Sequence, residues 1–215
     1  MREEVLVVRR ESLFGAQQPQ GYIPVQKGFS YLRACRRHSF FAPRHKVEND
    51  PTLKQIIPYC VLCWEGRILV VVRKKTQSEA RLHGLASVGV GGHITPADGD
   101  PADFDRLLLA GFLRELSEEV HVRTPWRATL CGFLNDDSNS VGSVHFGFVY
   151  RVECAAAPVV AETEKMRGGL VDASTLTPPE GTRWESWSQI LVEAAPLWLN
   201  APPAMSAEPF LITRP

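Results

Sequence analysis

Arg114-Glu115-Leu116-Ser117-Glu118-Glu119-Val120-His121-Val122 is the stretch on which the reading of this chain turns. The helix that leads into it has a clear start. Asp100 is placed to cap it, Pro101 fits the first helical position, and Asp103 lies in the first turn, where negative charge suits the dipole. The helix is expected to run to about Val120. Leu109, Phe112, Leu113, Leu116 and Val120 recur at helical spacing and predict an apolar stripe that packs on a sheet. At about 100° per residue, Glu115, Glu118 and Glu119 share an arc of roughly 100°, mostly away from that stripe, with Glu119 nearest its edge.

Glutamates three and four residues apart repel, at a cost of a few tenths of a kcal/mol per exposed pair. Two readings follow. One is a solvated acidic face on which Arg114 pairs with Glu118, four residues on. The other is a platform for a hard divalent cation, which binds oxygen ligands and keeps several waters. The residues alone leave both open.

Around the helix the chain reads as strands. Residues 4–9 form a short one. Ile56–Trp64 and Arg67–Arg73 are apolar runs rich in branched residues, joined by Glu65-Gly66 as a two-residue hairpin turn. Leu85 to His93 is a strand ending in the glycine cluster Gly91-Gly92, and a polar loop from Thr95 to Gly99 leads to the helix. Residues 128–133 and 143–152 are strands, separated by the loop Asn135 to Ser140. Trp184 to Leu199 reads as a last amphipathic helix, in which Trp184, Trp187 and Trp198 fit a core face better than a base-stacking one. Consecutive strands with short joins and flanking helices make an α/β chain with a mixed sheet. Residues 1–54 read as an N-terminal extension packed on the core, 55–200 as the main domain and 201–215, with four prolines, as an irregular tail.

Lysine plus arginine and aspartate plus glutamate are both 24, so the chain carries no global field for nucleic acid or an anionic membrane, and neither partner is expected. Phosphate recognition has to be local. The longest basic run, Arg73-Lys74-Lys75, is short and, read alone, fits a solvated strand end better than a binding patch, while His83 and His145 read as structural. The opening Met1-Arg2-Glu3-Glu4 is charged and no apolar h-region follows, which points to a cytoplasmic location with reduced thiols. The five cysteines have irregular spacing. Cys60 and Cys63, three apart on a strand, face opposite sides, so they read as core residues rather than a zinc pair.

The quoted stretch resembles the second half of the Nudix box, R-E-U-x-E-E-x-G-U with U aliphatic. It fits at every specified position but one, His121 in place of glycine. Gly91-Gly92-His93 ahead of it, and the order of elements over roughly residues 55–195, are also similar to that family. Lys54-Gln55-Ile56-Ile57-Pro58-Tyr59 and Ala80-Arg81-Leu82-His83-Gly84 resemble bacterial proteins labelled predicted Nudix-family phosphoesterases. The resemblance implies a Nudix-like α/β/α sandwich around a central mixed β-sheet. The first half of the box, G-x5-E-x7-R-E, departs: Arg106 stands where glutamate is required and Asp100 where glycine is. At His121 the family's glycine allows a left-handed turn after the helix, so histidine there implies a structural cost.

Carried over by position, the resemblance implies Glu118 and Glu119 as metal ligands and Glu115 as a third ligand or orienting carboxylate. It implies the Gly92 carbonyl as a further ligand, Arg114 as the group that holds the carboxylates, Arg73 at a strand end as a phosphate-contacting cation, and His93, next to Gly92, as a second candidate for substrate contact. The cofactor is Mg²⁺ or Mn²⁺, and the general base comes from Glu115, Glu162 or Glu164. The implied reaction is hydrolysis of a phosphoanhydride bond in a nucleoside diphosphate derivative or related small diphosphate. The alternatives are a non-catalytic nucleotide sensor on the same fold and, behind it, a prenyl diphosphate isomerase, which needs a placed cysteine. Many relatives of the fold form dimers, and the sequence leaves a homodimer open.

Overall fold

The computed structural model describes residues 3–74, 84–206 and 209–214. Lys75, Arg81 and His83, singled out above, lie outside the described residues. The elements are β1 Glu4–Arg9, α1 Arg10–Phe14, β2 Gly21–Pro24, α2 Phe29–His38, β3 Phe40–Pro43, α3 Arg44–Val47, β4 Leu53–Trp64, β5 Arg67–Arg73, β6 Leu85–Ser87 and β7 Val90–Gly91. They continue with α4 Phe104–Glu119, β8 Val120–His121, β9 Trp126–Asn135, β10 His145–Cys154, β11 Val159–Val160, β12 Met166–Asp172, β13 Arg183–Trp184, α5 Ser186–Glu193, α6 Ala195–Trp198 and β14 Leu211–Arg214.

The main sheet runs β13-β6-β5-β4-β10-β9-β14, with β12 on β5, β1 and β7 on β4, and β2 on β9. It is mixed: β10 lies parallel to β4 and β13 parallel to β6, and the other pairs are antiparallel. β4 is the pivot. On one side it pairs with β10 from Gln55 to Cys63. On the other it meets β1 up to Gln55, β7 at Tyr59 and Cys60, and β5 at Cys63 and Trp64. Pro58, which has no N–H to give a ladder, falls in the gap between β1 and β7, and there the sheet opens into a cleft.

Alternation along the strands sorts the core into two layers. Leu69 and Val71 face α1, α2 and α4, while Ile68, Val70 and Val72 face α5 and α6. This is the expected α/β/α sandwich. Cys60 and Cys63 separate the same way, one into each layer, and all five cysteines are free thiols. The hairpin at Glu65-Gly66 takes positive φ at both residues, 45° and 72°, as a two-residue loop between twisted strands requires.

Several elements differ from the sequence reading. The helix opens as a 3₁₀ turn, Pro101–Asp103, capped by Asp100, and becomes α-helical at Phe104. Its buried face holds Phe104, Leu107, Leu108, Gly111, Phe112, Leu116 and Glu119, whereas Leu109 and Leu113 are half-buried. The stripe is rotated toward Glu119, because the side chain of Ile94 packs onto Gly111 and makes it a contact position that hydrophobicity cannot reveal. His121 carries no positive φ: Val120 and His121 pass straight from the helix into β8, paired with β11, so the expected cost does not arise. The last helix is two pieces, broken at Ala194 before Pro196. The tail, read as irregular, ends in β14 on the edge of β9. No helix among the described residues is long and apolar enough to cross a membrane.

Candidate active site

The glycine strand and α4 meet over the cleft, and the meeting point has room for nothing larger than glycine. A Cβ on Gly92 would lie 2.2 Å from Glu115 Oε2. The amide of Gly91 donates to Glu119 Oε2 at 3.1 Å. Two of the three glutamates are therefore pressed against backbone rather than spread in solvent. Glu119 is 7% exposed, and burial, its largest influence, pushes its carboxyl up to about 7 against the opposing pull of Arg73. Burial also raises the Glu115 carboxyl, partly offset by Arg114. The Glu118 side chain, 53% exposed, projects into the open.

Arg114 is the clamp. Its Nη1 donates to Glu115 Oε1 at 2.7 Å and reaches Glu118 at 3.4 Å, and its Nη2 donates to the carbonyl of His93 at 2.7 Å. Nε and Nη2 also take a two-point grip on Asp98, at 2.7 and 2.8 Å. Burial would raise the Asp98 carboxyl, but the Arg114 and Thr95 hydrogen bonds outweigh it and hold the group low. Asp98 is a carboxylate of the site that the sequence reading did not single out. It was missed because it stands sixteen residues before Arg114, in a turn rather than in the helix. Its signal was nevertheless present: Thr95-x-x-Asp98 forms a capping box, each partner bonding the other's backbone.

A cavity of about 870 Å³ opens at this point. Arg114, the three glutamates, Gly92, His93 and Arg73 all line it. So does Glu162, whose carboxylate accepts from Lys165 Nζ at 2.5 Å; Glu164 does not. Trp198 is core, as read, while Trp187 is buried and also walls the cavity beside Trp184. His145 is packed, as read, but also reaches the cavity and faces His93. None of the five cysteines lines it.

Among the described residues no three His, Cys, Asp or Glu side chains converge closely enough to enclose a metal ion, since Arg114 draws Glu115 and Glu118 to itself. The donor chemistry still suits a hard divalent cation. Glu119 is a buried carboxylate and Glu115 a largely covered one, burial disfavours the ionised form of both, and a solvent-facing third, Glu118, lies one turn away.

No family model matches the chain. Protein YmaB of Bacillus subtilis (strain 168) is 35% identical over 201 residues, which cover 90% of this chain and 97% of YmaB. Among solved structures, Tm1382, described as a candidate Nudix hydrolase, superposes with a TM-score of 0.68 at 26% identity over 90% of this chain and 98% of its own. A MutT Nudix hydrolase from Burkholderia pseudomallei covers 65% of this chain and 98% of its own at 22% identity, with a TM-score of 0.42. Sharing nearly its full length with YmaB and most of its fold with Tm1382, and keeping the Arg114 to Glu119 box on the helix that closes the cleft, the chain belongs to the Nudix superfamily in one family with YmaB.

Proposed function

We infer that this protein is a divalent-metal-dependent hydrolase of a nucleoside diphosphate derivative. The observation that supports this most is the packing of a buried Glu119 and a half-buried Glu115 against Gly91-Gly92 on the wall of a cavity. Buried carboxylates in a row are costly unless something offsets their charge. The residues that would hold a metal are Glu115, Glu118 and Glu119, with the Gly92 carbonyl beside them. Mg²⁺ or Mn²⁺, when bound, would neutralise diphosphate oxygens and make water a better nucleophile.

The chain's own residues do the rest. Arg114, held by Asp98, keeps Glu115 and Glu118 oriented. Glu162, on the cavity wall and steadied by Lys165, accepts the proton of the attacking water. This role goes to Glu162 rather than Glu164 because only Glu162 reaches the cavity. Arg73 at the end of β5 faces the anionic substrate. The cavity volume suits a ligand of drug or nucleotide size.

The test is turnover of a panel of nucleoside diphosphate derivatives, dinucleoside polyphosphates and nucleoside triphosphates with Mg²⁺ or Mn²⁺. Glu118→Gln and Glu162→Gln are run beside the native protein. The expected losses are about 10²–10⁴-fold for the general base and at least comparable for the metal ligand. A silent panel would move the assignment to a nucleotide sensor. The isomerase reading lacks its cysteine at the cavity and gains nothing from the structure.

A further inference from the structure

Among the described residues, the lysines and arginines that line the cavity are Arg44, Arg73, Arg114, Lys165 and Arg183. Three of them are already neutralised. Arg44 pairs with Glu3 and Glu48, Arg114 with Asp98 and Glu115, and Lys165 with Glu162. The guanidinium groups of Arg73 and Arg183 make no ion pair with any described residue. Arg73 acts on Glu119 only through space, and its Nε is buried without an acceptor. A partly buried cation with no counter-ion is costly, and an anion in the cavity would offset that cost.

The sheet brings these two arginines to one place. Val72 pairs with Ala86 and Ala86 with Trp184, so the three form a row across β5, β6 and β13. All three pack in the layer with α5 and α6. Arg73 follows Val72 on a strand antiparallel to β6, and Arg183 precedes Trp184 on a strand parallel to it. Both therefore stand at the same end of the sheet, one position off the row, on the face toward α4. Strand spacing sets their backbones roughly 10 Å apart, with half-buried Leu85 between them on the cavity wall.

The two positions are not equivalent. Arg73 is the one whose charge reaches Glu119. By strand order, β13 lies two strands farther than β5 from β4, the strand that carries β7 and its glycine. The carboxylate nearest to Arg183 along the chain, Glu185, is already committed: it accepts from Tyr59, from the Ser188 hydroxyl and from the amides of Trp187 and Ser188. Arg183 is thus an exposed, unneutralised cation on the cavity wall, beyond Arg73 as seen from the glutamates. A guanidinium is charged at every working pH, and its planar fork matches the oxygens of a phosphate.

We propose that Arg183 binds a third phosphate of the substrate, beyond the two that lie at the carboxylates and Arg73. The substrate class is then a nucleotide with at least three phosphates in a row, a nucleoside triphosphate or a dinucleoside polyphosphate, rather than a nucleoside diphosphate joined to an uncharged group. The proposal rests on the hydrolase reading above and adds the residue that selects among its substrates.

Calorimetric binding to the full chain with Mg²⁺ tests it, using analogues whose phosphate-bridging oxygens are replaced by methylene so that nothing turns over. For adenosine, guanosine, cytidine and uridine alike, the diphosphate, the diphosphate joined to ribose and the triphosphate are compared. The triphosphate is expected to bind about ten- to a hundredfold more tightly than the other two, the worth of one hydrogen bond between charged groups. Arg183→Gln should remove that preference, and Arg183→Lys, which keeps the charge but not the fork, should keep part of it. Arg183 is exposed on a short strand at the sheet edge, so neither change touches the core. Equal binding of the three analogues, a preference that survives Arg183→Gln, a loss of the same size for all three, or no binding by any of them overturns the proposal. Preference for three phosphates without hydrolysis of the natural nucleotides would sink the hydrolase reading alone, and hydrolysis without that preference would sink this one alone.

Discussion

At the scale of single residues, the site is organised around one guanidinium. Arg114 holds two glutamates, a backbone carbonyl and Asp98 at once. Asp98→Ala removes the two-point anchor and leaves Arg114 to swing with Glu118. Orienting partners of this kind are worth roughly 10–100-fold in activity or metal affinity. That loss is expected in kcat with the fold retained by circular dichroism, and activity equal to the native protein's would show that Asp98 does not orient the clamp. Glu119 makes a second prediction. Its folded carboxyl stays protonated up to about 7, while an unfolded glutamate ionises near ~4.3. Between those values the folded chain binds a proton that the unfolded chain has released, so stability falls as pH rises through that window. The fall is on the order of 3 kcal/mol. Thermal unfolding of metal-free protein from pH 4.5 to 7.5 should show this slope, and Glu119→Gln should reduce it, leaving the smaller contribution of Glu115, whose carboxyl burial also raises. A slope identical in the two proteins would refute the assignment to Glu119.

At the scale of elements, the glycine strand is held in place from the side opposite α4. Ser188 Oγ takes the amide of Val88 at 2.9 Å and lies 3.1 Å from the Tyr59 hydroxyl, while Glu185 caps α5 through the amides of Trp187 and Ser188. Ser188→Ala leaves the buried Val88 N–H without its acceptor, and an unsatisfied buried donor costs about 1–3 kcal/mol. Urea unfolding should lose that much at constant m, and a change under 0.5 kcal/mol would mean that water replaces the hydroxyl. Elements of this kind were legible in different degrees. β1, β5 and the Glu65-Gly66 turn stand where alternation and turn chemistry put them, because each is decided by neighbours in sequence. The face that α4 buries was read one step off, because it depends on how closely Ile94 approaches Gly111. Pro196 marked a break that helical periodicity smoothed over.

At the scale of the molecule, the segments before β4 and after α6 both join the same sheet, β1 on β4 and β14 on β9. Arg151, on buried β10, ties the return of the chain by donating from Nη1 to the carbonyls of Trp198, Leu199 and Ala201 at 2.9, 2.7 and 3.1 Å. Arg151→Met strands those carbonyls. A loss of roughly 3 kcal/mol is expected from charged hydrogen bonds of this class, together with faster proteolysis of the chain beyond residue 199; unchanged cleavage there would refute the tie. What the sequence by itself determined is the chemistry: an Arg-Glu-x-x-Glu-Glu helix following a strand that ends in glycines, in an α/β chain of balanced charge. Those signals are local, carried by residues a few positions apart. The partners that complete the site were decided by the tertiary structure alone. Asp98 lies sixteen residues from the arginine it anchors, and His93 lies fifty-two residues from His145. Hydrogen bonds across such separations form only when the sheet has placed its strands, because direction and distance, not sequence spacing, determine whether two polar groups meet.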